Sequence, residues 1–112
     1  MVKKSKAVSC PQRAMRIMSV VVDGTGTAAL SGICANNMSL TDNGTGDYTL
    51  TFDSAFKQAP QVLATPVTDN IICKVTASST TACTIKTDNL SGSATDADFH
   101  VIILGSDTSD QI

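Results

Sequence analysis

Tyr48, Leu50 and Phe52 alternate with Thr49, Thr51 and Asp53 directly after a glycine-bearing stretch, Asn43-Gly44-Thr45-Gly46. One apolar and one polar side at period two marks a half-buried β-strand. The segment entering the turn carries Met38 and Leu40 with the same alternation. Register follows the buried face. A turn made of Asn43-Gly44 would set Leu40 against Asp47 and Met38 against Thr49. A turn centred on Gly44 instead pairs Leu40 with Tyr48 and Met38 with Leu50. The expectation is therefore a hairpin with an odd-length loop and a glycine at positive φ.

The same reading extends along the chain. Residues 15–22 form a strand with Met18, Val20 and Val22 on one side, ended by the Asp23-Gly24-Thr25-Gly26 turn. A weaker strand over 27–33, interrupted by Gly32, leads into a strand over 34–40. Residues 53–60 are a connection from which Phe56 folds back as an apolar plug at the end of the core. Pro66 assigns the strand over 61–67 an edge position or an early end. Residues 71–77 and 81–87 make a second hairpin around Ser78-Ser79-Thr80, and a polar loop follows over 88–95. In the last strand Phe99, Val101 and Ile103 point one way, while His100, Ile102 and Leu104 point the other. A strand apolar on both sides needs a cover on both. The core is one cover, and a local loop or another subunit is the second. About seven or eight short strands predict an all-β fold, an antiparallel, jelly-roll-like β-sandwich.

Composition adds two constraints. With no Trp, one Tyr and three Phe in 112 residues, the core of this single domain must come from aliphatic, Met and Cys side chains. Charge is also unevenly placed. Lys3, Lys4, Lys6, Arg13 and Arg16 are five of the eight basic residues, and from Ile17 onward three lysines face ten aspartates. The division is a basic arm over 1–14 ahead of an acidic β body over 15–112. The arm, continued by Arg16, is the element expected to dock on an acidic protein surface. The body would repel phosphates, so nucleic acid is not an expected partner. No apolar region precedes Ala7-Val8-Ser9-Cys10, against a lipoprotein signal, and no run reaches the length of a membrane span.

Little of the chain offers chemistry. Cys10, Cys34, Cys73 and Cys83 lack metal-ligand spacing. A Cys73–Cys83 disulfide across the second hairpin is sterically conceivable, but buried reduced thiols are the expected state. His100, the only imidazole, lies inside the most apolar strand, where packing or an interface is the expected role. Asp96 and Asp98 form a carboxylate pair, but aspartates just before a strand usually form turns. The Gly-Thr-Gly turns lack the strand–glycine–helix setting of phosphate loops. Asp42, Asn43 and Asp47 do not fit a calcium loop. No enzyme, cofactor, metal site or membrane partner is expected.

The stretch Asn43-Gly44-Thr45-Gly46-Asp47-Tyr48-Thr49-Leu50-Thr51-Phe52, followed by Ala55-Phe56 and Ala59-Pro60-Gln61-Val62-Leu63-Ala64-Thr65-Pro66, resembles a module of bacteriophage virion proteins. Those proteins include tail fibres and small capsid-associated proteins, particularly of marine and cyanobacterial phages. The ending over 95–107 is similar to it as well, so the likeness spans residues 34–108. The Phe56, Ala59-Pro60, Val62 spacing also resembles the six-stranded H-type lectins, which form trimers. This chain lacks their tryptophan-bearing terminal strand, so no sugar site carries over. The resemblance implies a virion protein that works by assembly: a capsid decoration or cement protein binding the major capsid protein or another virion protein, as a homotrimer. In that reading His100, Ile102 and Leu104 are the subunit interface. The alternative is a tail-fibre or knob component recognising host glycans through loops 23–26, 42–47 and 89–96.

Overall fold

A computed structural model describes residues 15–107. They form eight strands in two four-stranded antiparallel sheets. The first sheet orders β2 (Ala29–Ser31), β1 (Met15–Asp23), β8 (Phe99–Ser106) and β5 (Gln61–Pro66). The second orders β3 (Met38–Gly44), β4 (Asp47–Phe52), β7 (Ala82–Asn89) and β6 (Ile71–Ser78). This is the expected all-β sandwich. Hairpins between sequence neighbours (β1–β2, β3–β4, β6–β7) supply half of the strand pairings, and β1–β8, β5–β8 and β4–β7 supply the long-range ones.

Period-two alternation builds the core. Met18, Val20 and Val22 of β1 and Phe99, Val101 and Ile103 of β8 face inward from the first sheet. Met38, Tyr48, Leu50, Phe52, Cys83 and Ile85 face them from the second. Each fully buried Val, Ile, Leu or Phe side chain contributes about 1.5–3 kcal/mol. Phe56 plugs one end, its ring edge-on to Phe52 at 5.1 Å between centroids. Pro66 ends β5 at the sheet edge.

Two local expectations are corrected. The opening hairpin pairs Leu40 with Leu50 and Met38 with Phe52, two positions away from the register anticipated. Apolar still meets apolar. A bulge between Asp42 and Gly44 absorbs the odd residue, and the turn itself is Thr45-Gly46. Gly46 has φ +63°, and a Cβ there would stand 2.4 Å from the Thr87 carbonyl oxygen, so only glycine fits. The strand expected over 34–40 begins only at Met38, because Ala35–Asn37 is a 3-10 turn; its two asparagines bring turn chemistry rather than strand propensity. The thiols of Cys73 and Cys83 are free, as expected: Cys73 pairs with Thr87 and Cys83 with Ser78, so the register of the second hairpin separates them.

Candidate assembly face

The outer side of the first sheet is set by the alternation that builds the core. Cross-strand pairing places β8 between β1 and β5 and aligns their outward residues in rows: Ile17, Leu104 and Gln61; Ser19, Ile102 and Leu63; Val21, His100 and Thr65. These rows carry no Asp, Lys or Arg. Ile17 is 65 % exposed, Leu63 57 % and Ile102 44 %. An exposed aliphatic side chain is ordinary when solitary, but a contiguous apolar patch on a small protein marks a surface for contact.

His100, Ile102 and Leu104 are thus brought together on one surface. Ile17, Val21 and Leu63 belong to the same surface and were not singled out from the sequence. The alternation of β1 and β5 contained that signal, but only the strand order shows that both flank β8.

The sheet edges are less open to pairing. β2 is three residues long, β5 ends in Pro66, and β3 and β6 each contain a bulge. Short, proline-ended or bulged edges resist strand addition.

Of the proposed docking arm, Lys3, Lys4, Lys6 and Arg13 lie outside the described residues. Arg16 is described: it belongs to β1, and its guanidinium is engaged within the body. Its Nε donates to Asp107 Oδ1 at 2.8 Å, and a second guanidinium nitrogen also contacts that oxygen. Further donations reach the carbonyls of Ser54 at 2.7 Å and Ala55 at 3.2 Å. The guanidinium lies 4.0 Å over the Phe56 ring, so it holds the 53–60 connection and its plug against β1. A cleft of about 370 Å³ beside it is lined in part by Arg16, Cys34, Asn37, Asp53 and Asp107, and among the described residues its one cation is already paired with Asp107.

At the opposite end three loops are clasped together. The Tyr48 hydroxyl is buried 2.9 Å from Asp96 Oδ1 and 3.2 Å from the Gly24 carbonyl oxygen. The Gly46 N–H donates to the same Asp96 oxygen at 2.8 Å, and the Gly24 N–H donates to Asp98 Oδ1 at 3.1 Å. Asp96 and Asp98 therefore act as loop fasteners. Burial and the neighbouring Asp96 carboxylate push the Tyr48 hydroxyl far above its ordinary pKa. The hydrogen bond from the Thr25 hydroxyl, then the neighbouring Asp98 side chain and the Thr25 N–H, hold the Asp23 carboxyl below its ordinary value. Burial raises the thiols of Cys73 and Cys83 to about 11, so neither is a ready nucleophile.

Fold and surface together define an antiparallel β-sandwich whose first sheet carries three uncharged outer rows with exposed aliphatic side chains, bounded at one end by Asp23. No family model, curated protein or solved structure matches this chain.

Proposed function

We propose that this chain is a self-associating structural protein, and specifically a phage capsid decoration or cement protein that binds the outer capsid surface and stabilises the head. The observation that carries the self-association is the uncharged apolar face of Ile17, Val21, Leu63, Ile102 and Leu104 around His100. Near the symmetry axis of such an assembly equivalent residues of the copies approach one another, and rows without formal charge tolerate that. A homotrimer would turn three such faces toward a common axis. Lys3, Lys4, Lys6 and Arg13 would reach the major capsid protein or another virion protein. The virion setting rests on the resemblance of residues 43–66 and 95–107, and the assembly reading rests on the face.

The tail-fibre or knob alternative draws support from the convergence of loops 23–26, 42–47 and 89–96 through Tyr48, Asp96 and Asp98. Against it, all three Phe and the single Tyr are buried, leaving no aromatic platform for a sugar ring.

Sedimentation of the purified protein tests the assembly reading: concentration-dependent association in the micromolar range is expected, and a monodisperse monomer at about 100 µM would overturn it. Removing residues 1–13 should abolish capsid binding while leaving the body folded, whereas stoichiometric binding by the truncated chain would refute the arm's role. Many copies on the head would favour decoration, and a few copies at the tail would favour the fibre.

A further inference from the structure

Asn43-Gly44 is the one Asn-Gly pair in the sequence; Asn36, Asn37, Asn70 and Asn89 are each followed by a larger residue. The pair lies at the tip of the β3–β4 hairpin. There Asp42 pairs with Tyr48 and Gly44 with Asp47, so Asn43 is the bulged residue without a ladder partner. Asp42, Asn43, Gly44 and Thr45 are all exposed. Gly44 has φ +134°, and a Cβ built on it would meet nothing within 4 Å, so the space beside it is open. Its N–H donates to Asp42 Oδ1 at 3.0 Å, which sets a carboxylate at the proton of that nitrogen. Asn43 Nδ2 donates to Thr49 Oγ1 at 2.8 Å and to Asp47 Oδ1 at 3.4 Å, which ties the carboxamide to β4.

From this arrangement we propose that Asn43 is a site of self-modification: its carboxamide deamidates through a cyclic imide closed by the Gly44 nitrogen, and the hydrogen bond to Thr49 sets how often the ring can close. The reacting atoms belong to adjacent residues, so the attack is intramolecular and needs only local rotation. Glycine permits the backbone change that closure demands. In the first step the Gly44 nitrogen passes its proton to Asp42 and bonds to Asn43 Cγ. The Cγ–Nδ2 bond breaks, and Nδ2 leaves as ammonia with that proton. Water then opens the imide at either carbonyl. One product is an aspartyl residue in the ordinary chain, and the other an isoaspartyl link that lengthens the backbone by a methylene. Water is the only co-reactant, and nothing is oxidised or reduced.

While Thr49 holds Nδ2, closure waits for a local opening of the hairpin tip. Either product sets a carboxylate where a donor stood, beside Asp42 and Asp47. The bond that Nδ2 donates to Thr49 is then lost, and like charges gather at the tip.

The test follows the full chain in neutral buffer at physiological temperature, by peptide mass spectrometry and an isoaspartyl assay over time. The wild type is compared with Thr49→Ala and Asp42→Asn, and circular dichroism confirms that each is folded. Conversion should appear at position 43 ahead of Asn36, Asn37, Asn70 and Asn89. Thr49→Ala should speed it by about 2- to 10-fold, the gain in free carboxamide that loss of one hydrogen bond gives. Asp42→Asn keeps an oxygen for the Gly44 N–H but is no base. It should slow conversion by at least about 10-fold, short of the ordinary range for a positioned base because water competes at this exposed tip. A wild type that stays unconverted at position 43, or converts first at another asparagine, would overturn the site. An unchanged rate in Thr49→Ala would overturn the hold by Thr49, and an unchanged rate in Asp42→Asn would overturn the proton's route.

Discussion

On the outside of the first sheet, Ile17, Val21, Leu63, Ile102 and Leu104 surround His100; on the outside of the second, the corresponding rows read Ser39, Thr51 and Ala82, then Thr41, Thr49 and Thr84, then Asp47, Lys86 and Lys74. The second surface also satisfies itself. Thr49 and Thr84 hydroxyls lie 3.3 Å apart, Asn43 Nδ2 donates to Thr49 Oγ1 at 2.8 Å, and Lys74 pairs with Asp88 at 2.6 Å. Both surfaces come from strands of the same length range with the same inward alternation. What differs is whether the outward positions can be satisfied by water and by one another. Hydroxyls and ion pairs can be, and aliphatic side chains cannot. Apart from Ile72, 45 % exposed beside Asp88 at one end, the second surface therefore reads as a solvated side of the sandwich, and the first, with several such side chains, as a side that gains free energy when covered.

Charge placed on each surface should break this contrast most visibly. Ile102→Lys sets a cation in the middle row of the first surface and should weaken self-association by at least about 100-fold, the size of a central interface residue. Thr51→Lys, the same change on the second surface, should leave association unaltered. Both positions are exposed, so both variants should melt close to the wild type. Sedimentation at pH 7.5 alongside thermal unfolding reads both quantities. Dissociation by Thr51→Lys instead of Ile102→Lys would exchange the roles of the two faces.

Truncations give a smaller, crossed pattern. Leu63→Ala removes contact area that is largely exposed in the single chain, so stability should change by less than about 0.5 kcal/mol while association weakens by about 10-fold. Thr49→Ala removes the Thr84 and Asn43 contacts and should lower stability by about 0.5–1 kcal/mol with association unchanged. Urea melts and sedimentation of the same samples separate the outcomes. Loss of both properties in either variant would mean that the two surfaces are not independent.

How far this contrast could be read in advance depended on the range of the interaction involved. The inward sets of β1, β4 and β8 followed from alternation, because period two is local. Ile102 and Leu104 were legible for the same reason. Ile17 and Leu63 were not, since their membership in the face depends on β1 and β5 flanking β8, and no short stretch encodes that neighbourhood. The hairpin register missed by two positions because the apolar pattern is equally satisfied by either pairing, and the bulge between Asp42 and Gly44 decides between them. Arg16 looked like a continuation of the basic arm because its partner, Asp107, lies 91 residues away in sequence. The loop clasp was half visible: Asp96 and Asp98 read as turn formers, but their link to Gly24, Gly46 and Tyr48 is long-range.

Alkaline pH should expose a difference between the inner sides of the two sheets. Cys73, Cys83 and Tyr48 all belong to the second sheet, and all have raised pKa values in the fold, about 11 for each thiol. A raised folded-state value means that the stabilising contribution is complete below the unfolded value, about 8.5 for a thiol, and is lost as pH rises through the folded one. Stability should therefore fall between about pH 9 and 11. Thiol labelling over that range should report opening of the second sheet, with Cys83, the more deeply buried thiol, reacting after Cys73. A flat stability profile to pH 11 would contradict this.

The smallest effect is expected at the acidic end of the apolar face, where Asp23 and Asp98 close the row beyond His100. The Asp23 carboxyl is held below its ordinary pKa, chiefly by the Thr25 hydroxyl and then by Asp98 and the Thr25 N–H. For a depressed carboxylate the contribution is present above the unfolded value, about 3.9, and is lost as pH falls through the folded one. Asp23→Asn keeps an oxygen for the Thr25 N–H but removes the charge that strengthens both hydrogen bonds. The variant should melt slightly below the wild type at pH 7, and the gap should close as pH drops from about 4 toward 2.5. Because Asp23 is fully exposed, added salt should narrow the gap as well. A gap that stays constant across that pH range would show that the turn is held by the shape of the side chain and not by its charge, leaving the face without an electrostatic boundary at this end.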